Sequence, residues 1–215
     1  KLGSIIGHIL GDGSIDKKYS HVFFSNSEKE LLKEFSTNMK TIFNIEPRIW
    51  MQKAPDYGNT QWDKRINSIE ELTEGRNGGL FYPTICGLIL NAIFEGFAIG
   101  KNKIITSIII NSNDEFKRGL IRAFYDDEST VGLKNIRLFQ DRKDMLEIFR
   151  SLLNKFEISS SSVKMYMKHD KKRYYFDIFR KSNLKRFDEQ IGFTSPKKSN
   201  LLKEIINRKP HWNDK

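Results

Sequence analysis

One cysteine, Cys86, stands in 215 residues. A lone thiol supports neither an intrachain disulfide framework nor a cysteine-built zinc site, so the fold must rest on its apolar core, which suits a reducing compartment. Long apolar runs are lacking too. The longest, 85–93 and 104–110, fall well short of the roughly 20 residues that cross a bilayer, so a soluble protein with no membrane partner is expected. Nothing after Lys1 reads as a secretory leader, which points to an intracellular setting. Acid is in deficit: 27 Asp and Glu face 37 Lys and Arg, a net charge of +10. That balance favours a polyanionic partner such as nucleic acid, though ribosomal, RNA-processing and membrane-surface proteins share it. With 38% hydrophobic residues, the chain can bury an ordinary globular core.

What is present is a repeat. Ile5-Ile6-Gly7-His8-Ile9-Leu10-Gly11-Asp12-Gly13 is an apolar segment with small residues that ends in an acid; Ile121-Arg122-Ala123-Phe124-Tyr125-Asp126-Asp127-Glu128-Ser129 is its counterpart. In each, a small residue (Gly7, Ala123) precedes the acid (Asp12, Glu128) by the same offset, 12 − 7 = 128 − 123 = 5. The following blocks also match. A β-rich run ends in an amide side chain, Asn26 or Gln140, and an amphipathic helix follows with Ser27 or Asp141 as its expected N-cap. In the second half, 163–168 and 173–178 alternate faces around His169-Asp170-Lys171-Lys172, which predicts a β-hairpin. Ser182 is expected to open another helix, and 200–206 forms a last amphipathic segment. In the first half the strand returning after Arg48-Ile49-Trp50-Met51-Gln52 could be 61–66 or 79–85, with a loop between. The halves are expected to divide as 1–112 and 113–215.

Glycine within a helix costs about 1 kcal/mol relative to alanine. Gly7 and Gly11 therefore need an offsetting benefit, and close approach of two helix backbones, with Ala123 opposite, supplies it. Two helices so packed bring Asp12 and Glu128 together at their C-terminal ends. There carboxylates repel one another and the helix dipoles are unfavourable, costs that a hard cation such as Mg²⁺ removes. His8, on an apolar helix, is expected to be an interfacial or core polar residue rather than a ligand.

These two nine-residue segments resemble the motif of the LAGLIDADG homing endonucleases, with the second departing at Ser129, where glycine is usual. The resemblance spans nearly the whole chain and implies an α+β fold of two pseudo-symmetric αββαββα units whose sheets form a DNA-binding β-saddle. It implies a monomeric, site-specific endonuclease that hydrolyses both strands of a long, asymmetric double-stranded DNA target. It implies a catalytic set of Asp12 and Glu128 with Asn26 and Gln140 at the active centre, and a metal site formed by Asp12, Glu128, Gly11 and Asp127. Mg²⁺ or Mn²⁺ would support cleavage and Ca²⁺ would substitute without it. A supporting basic residue is also implied, with Lys53, Lys168 and Lys172 as candidates. The same scaffold serves intron-encoded RNA maturases, so intron RNA is the alternative partner. Abundant Asn, Lys and Ile suggest an AT-rich genome; the setting would be cytoplasmic in an archaeon and organellar otherwise.

Strand alternation assigns the recognition residues. Arg48, Trp50 and Gln52 should face outward in the first half. In the second, Lys164, Tyr166 and Lys168, then Arg173, Tyr175 and Asp177, should face outward, with Val163, Met165, Met167, Tyr174, Phe176 and Ile178 inward. Arg137 joins the DNA-facing set. Arg and Lys can contact guanine or phosphate, and Gln can read adenine.

Overall fold

A stripe of apolar residues repeats along two helices. In α2 (Lys29–Phe43) the buried positions are Leu31, Leu32, Phe35, Asn38 and Met39; in α6 (Lys143–Lys155) they are Met145, Leu146, Phe149, Leu152 and Leu153. Every pair is offset by 114 (145 − 31 through 153 − 39), so the same helical face is buried twice. The computed structural model describes residues 1–52, 62–100 and 102–208. They form two compact units, Lys1–Asp127 and Glu128–Lys215.

The first unit begins with α1 (Leu2–Leu10), β1 (Ser14–Ile15) and β2 (Val22–Asn26), continues through α2 to β3 (Arg48–Gln52), β4 (Trp62–Ile66) and β5 (Gly78–Tyr82), and then enters α3 (Thr84–Ile93). A short hairpin, β6 (Ala98–Ile99) and β7 (Asn102–Lys103), and α4 (Ser107–Ile110) lead into α5 (Asp114–Glu128). The sheet order is β1-β2-β5-β3-β4, antiparallel throughout. Both candidate return strands exist: β4 pairs with the outer edge of β3, and β5 inserts between β2 and β3. Gln61 lies outside the described residues. Phe24 and Tyr82 on the inner face meet Phe35 of α2 at ring separations of 4.7 and 5.9 Å.

The second unit carries β8 (Ser129–Val131), β9 (Ile136–Gln140), α6, β10 (Lys164–Lys168), β11 (Lys171–Ile178), α7 (Lys181–Gln190) and α8 (Pro196–Asn207), with sheet order β10-β11-β9-β8. Counted from α5, its order is helix-strand-strand-helix-strand-strand-helix, and the first half has the same order with one strand more, β4, added at the outer edge of β3, so the architecture is the expected α+β duplication. Packing joins α5, through Asp127, to the first unit.

Several local expectations need correction. The N-caps of α2 and α6 are Glu28 and Arg142, without side-chain capping bonds, because the preceding amides reach forward: Asn26 Oδ1 accepts from Glu28 N–H and Gln140 Oε1 from Asp141 N–H. The β10–β11 turn is only His169-Asp170, both left-handed (φ 49° and 59°), so Lys171 and Lys172 are strand residues. α7 starts at Lys181, and α8 starts at Pro196 because Ser195 caps it by accepting from Lys198 N–H. Met165 and Met167 do not face a core: they are 53% and 56% exposed. β10 is an edge strand paired only with β11, whereas its first-half counterpart β3 is flanked on both sides. Phe176 and Ile178 are buried as expected and Tyr174 is half-buried.

Candidate active site

The site is built on the contact between α1 and α5. Every residue of α1 from Gly3 to Leu10 is buried, so the helix has no solvated face and depends on its neighbours. Its glycines set the spacing. A β-carbon on Gly3 would lie 2.0 Å from the Phe116 carbonyl oxygen; on Gly7, 2.5 Å from the Leu120 oxygen and 2.8 Å from the Ala123 β-carbon; on Gly11, 2.5 Å from Asp127 Oδ2. Gly7 and Ala123 therefore meet as the sequence suggests. Gly3 continues the same ridge one turn earlier, and its four-residue spacing from Gly7 was the available signal. On α5, Gly119 answers it, 3.1 Å from Ser4 N by the same measure.

Close packing brings the C-terminal end of α1 against Asp127. The Asp12 N–H donates to Asp127 Oδ2 at 3.3 Å, and His8 Nδ1 lies 3.0 and 3.2 Å from the two Asp127 oxygens. The side chains of His8 and Asp127 are both fully buried. On its other side His8 Nε2 stands 3.7 Å from Glu34 Oε2, an ion-pair separation longer than a hydrogen bond. Glu34 accepts from Ser4 Oγ at 2.8 Å, and Ser4 Oγ accepts from Asn38 at 3.2 Å. Asn38 is thus the polar member of the α2 stripe for a reason: it ends a buried network that starts at Asp12.

Burial pulls the His8 pKa down, but the charge and hydrogen bonds of Asp127, then the nearby Glu34 carboxylate, outweigh it and raise the value to about 10. An imidazolium donates from both nitrogens, which suits carboxylates on both sides. Because the folded value exceeds the unfolded value of 6.5, the stabilisation is complete below pH 6.5 and is lost as pH rises toward 10. Melting temperature should therefore fall between pH 7 and 10 more steeply in the parent than in His8→Leu; parallel curves would show that His8 is neutral when folded.

Asp12 itself is exposed, beyond the end of α1. Asn26 Nδ2 donates to Asp12 Oδ2 at 3.2 Å, and the Glu28 N–H bond to Asn26 Oδ1 fixes the direction of that amide. Lys103 adds a cation, its ammonium donating to the Gly11 carbonyl. The hairpin carrying it is tied down by the Gly100 N–H bond to Ile15 O, 2.8 Å, with Gly100 at φ +60°. Sequence reading missed Lys103, since a lone lysine after a glycine has no pattern that points to a site. Of the earlier basic candidates, Lys53 lies outside the described residues, and Lys168 and Lys172 are exposed beside the β10–β11 turn. Glu128 is the last residue of α5, and Gln140 ends β9 much as Asn26 ends β2.

Each sheet turns a mixed cationic and aromatic face outward. On the first, Arg48, Trp50 and Gln52 share a face with Phe23, Phe81 and Arg65, and Trp62 packs edge-on to Phe23 and Phe81 at 5.4 and 5.9 Å. Gln52 Oε1 accepts from Asn77 at 2.7 Å. On the second, Lys164, Tyr166, Lys168, Arg173, Tyr175, Asp177 and Arg137 share a face with Phe139. Arg173 pairs with Asp141 at 2.9 Å, and Arg137 pairs with Asp177.

A family model described as a LAGLIDADG-like domain matches residues 1–77 and 115–192. The chain is 26% identical over 211 residues to the replication factor C small subunit of Methanocaldococcus jannaschii, and 30% identical over 209 to the DNA-directed RNA polymerase subunit Rpo1C of that organism. These alignments cover 96% and 95% of this chain but 10% and 21% of those proteins, so it spans only about a tenth to a fifth of their length. Two proteins of unlike activity share this stretch, so the stretch, and not what either protein does, is common to them. Among solved structures, that of I-DmoI in complex with DNA and Ca is similar with a TM-score of 0.62 at 17% identity, covering 94% of this chain and 96% of that one.

Proposed function

Because the chain belongs to the LAGLIDADG family, whose model it matches over most of its length, we propose that it is a homing endonuclease that hydrolyses both strands of a long, asymmetric duplex DNA site. The observation that carries this reading is the exposed Asp12 carboxylate at the end of a glycine-packed helix pair, oriented by Asn26 and beside the Lys103 ammonium. Each half contributes one acid, Asp12 or Glu128, and one chain serves one duplex. The unlike outward faces of the two sheets suit two unlike half-sites.

The donor chemistry fits Mg²⁺ or Mn²⁺, with Ca²⁺ binding without cleavage. Among the described residues no group of three or more His, Cys, Asp or Glu forms a protein-only cage. Mg²⁺ does not need one, since it is commonly held by one or two carboxylates, with phosphate oxygens and water completing the shell. Asp12 and Glu128 would hold it. When bound, the cation supplies Lewis-acid polarisation of the phosphate and a more acidic water. Asp127 is left out of this set, because its carboxylate is committed to His8 and the Asp12 amide. Asn26 keeps Asp12 aimed, and Lys103 places positive charge where a phosphate oxygen becomes more negative. The paired acids favour hydrolysis of DNA over a splicing role on RNA.

Binding to duplex DNA should weaken steeply with salt, with a log-log slope of about −0.9 for each phosphate neutralised. Incubation with a randomised duplex library and Mg²⁺ should enrich a cut sequence, and EDTA should abolish cutting. A slope near zero for every duplex, with no enriched cut site, would remove the proposal.

A further inference from the structure

We infer that Arg137 is a preorganised guanine reader, held for that task by Asp177, Asn135 and Tyr175; this deepens the DNA-cleavage reading and rests on it. Arg137 and Asp177 are direct partners across β9 and β11, on the outward face. Asp177 accepts from Arg137 Nε at 2.7 Å and from Nη2 at 3.0 Å, which occupies one fork of the guanidinium. The Asn135 amide donates to Asp177 Oδ1 at 2.6 Å, and the Asp177 backbone is tied at both ends to Ser161. The Tyr175 ring lies 4.2 Å from the guanidinium carbon, so the plane as well as the direction of the group is fixed.

The arrangement leaves the second fork, Nη1 with the outer N–H of Nη2, without a protein partner among the described residues. The Arg137 side chain is 38% exposed while that of Asp177 is 13% exposed. A planar fork of two parallel N–H donors matches the O6 and N7 acceptors that only guanine presents together in the major groove. Holding the side chain beforehand removes much of the rotamer entropy that a free arginine loses on binding. The carboxylate also cancels the arginine charge, so the pair adds little to non-specific phosphate attraction. Asp177 is therefore a positioning residue and not itself a reader of bases. Lys164 and Lys168, exposed on the neighbouring strand, are the phosphate contacts of this face.

The test uses the whole protein in Ca²⁺, a randomised duplex library, and then single duplexes with the enriched sequence. The parent should enrich a guanine at a position where 7-deazaguanine, which lacks N7, lowers affinity about 10- to 100-fold. Arg137→Lys should lose that one preference, keep the others, and be indifferent to 7-deazaguanine. Asp177→Ala should do the opposite to non-specific binding: by releasing an uncompensated arginine it should steepen the salt slope by about 0.9 while discrimination at that position falls. The modified-base measurement on the parent needs no variant, so misfolding of Asp177→Ala does not blunt the test. An unchanged consensus in Arg137→Lys, or 7-deazaguanine without effect at every guanine in the parent, overturns the inference while leaving the nuclease reading standing. A parent that enriches no sequence overturns both.

Discussion

Asp12→Asn and Glu128→Gln should each lower the rate of double-strand cleavage by about 100- to 1000-fold or more, the loss typical when one charge-stabilising group of an active site is removed. Binding to the same duplex in Ca²⁺ should be retained or strengthened, because each change deletes a negative charge facing phosphates. Lys103→Met should also slow cleavage with little effect on affinity, since it contributes one contact among many to binding but its ammonium is held by the carbonyl of Gly11, the residue before Asp12. Asp127→Asn should behave differently. Its carboxylate neutralises His8 and holds the Asp12 amide, so thermal stability should fall along with activity. Single-turnover cleavage and melting, measured on the same four variants, separate the two classes. Wild-type cleavage by either Asp12→Asn or Glu128→Gln removes that acid from the site.

The second large effect concerns packing. Ala123→Leu puts a branched chain where the Gly7 backbone passes, and overpacking of that kind costs about 1–3 kcal/mol. For a chain of this size that is a fall in melting temperature of about 2–12 °C. Glycine-to-alanine changes should follow the spacing: Gly3, with a backbone oxygen 2.0 Å from the new β-carbon, worst; Gly7, at 2.5 Å, next; Gly119, at 3.1 Å, least. At Gly119 the gain of about 1 kcal/mol in helix propensity should nearly offset the crowding. Cleavage should decline in the same order, since separating the helices breaks the Asp12–Asp127 contact. Calorimetry of the series tests the ranking, and a destabilised Gly119→Ala beside a tolerant Gly3→Ala would contradict the close contact.

Much of the duplication was legible because it is written in spacing. The 5-residue offset to each acid and the 114-residue offset between the α2 and α6 stripes survive with few shared residues, since only volume and polarity at the buried positions must repeat. What was illegible depends on tertiary pairing. β5 enters between β2 and β3 only after the β4 excursion, and no local signal says that a later strand takes an inner place. Met165 and Met167 alternate like core residues, but alternation reports a face and not whether anything covers it. Lys103 and the Arg137–Asp177 pair become visible only once the β6–β7 hairpin and the β9–β11 register bring them beside their partners. The short amide reach at Asn26 and Gln140 likewise displaced both expected helix caps by one residue.

The glycine ridge of α1 also orders events in time. Gly3 meets Phe116, so the contact that shelters the glycine face of the helix closes over 116 − 3 = 113 residues. At about 5–20 residues per second, the ribosome needs roughly 6–23 s to supply the partner. During that interval a largely apolar nine-residue segment, too short to hold helical form in water, has α2 and β2 to pack against but not yet α5. Slow synthesis or a pause before residue 114 should therefore promote aggregation more than the same pause after 128, where α1 is already covered. Long loop closure adds a folding-rate cost to that exposure. The feature that lets two backbones touch thus leaves the glycine face of the first helix bare until nearly the whole of its unit has been made.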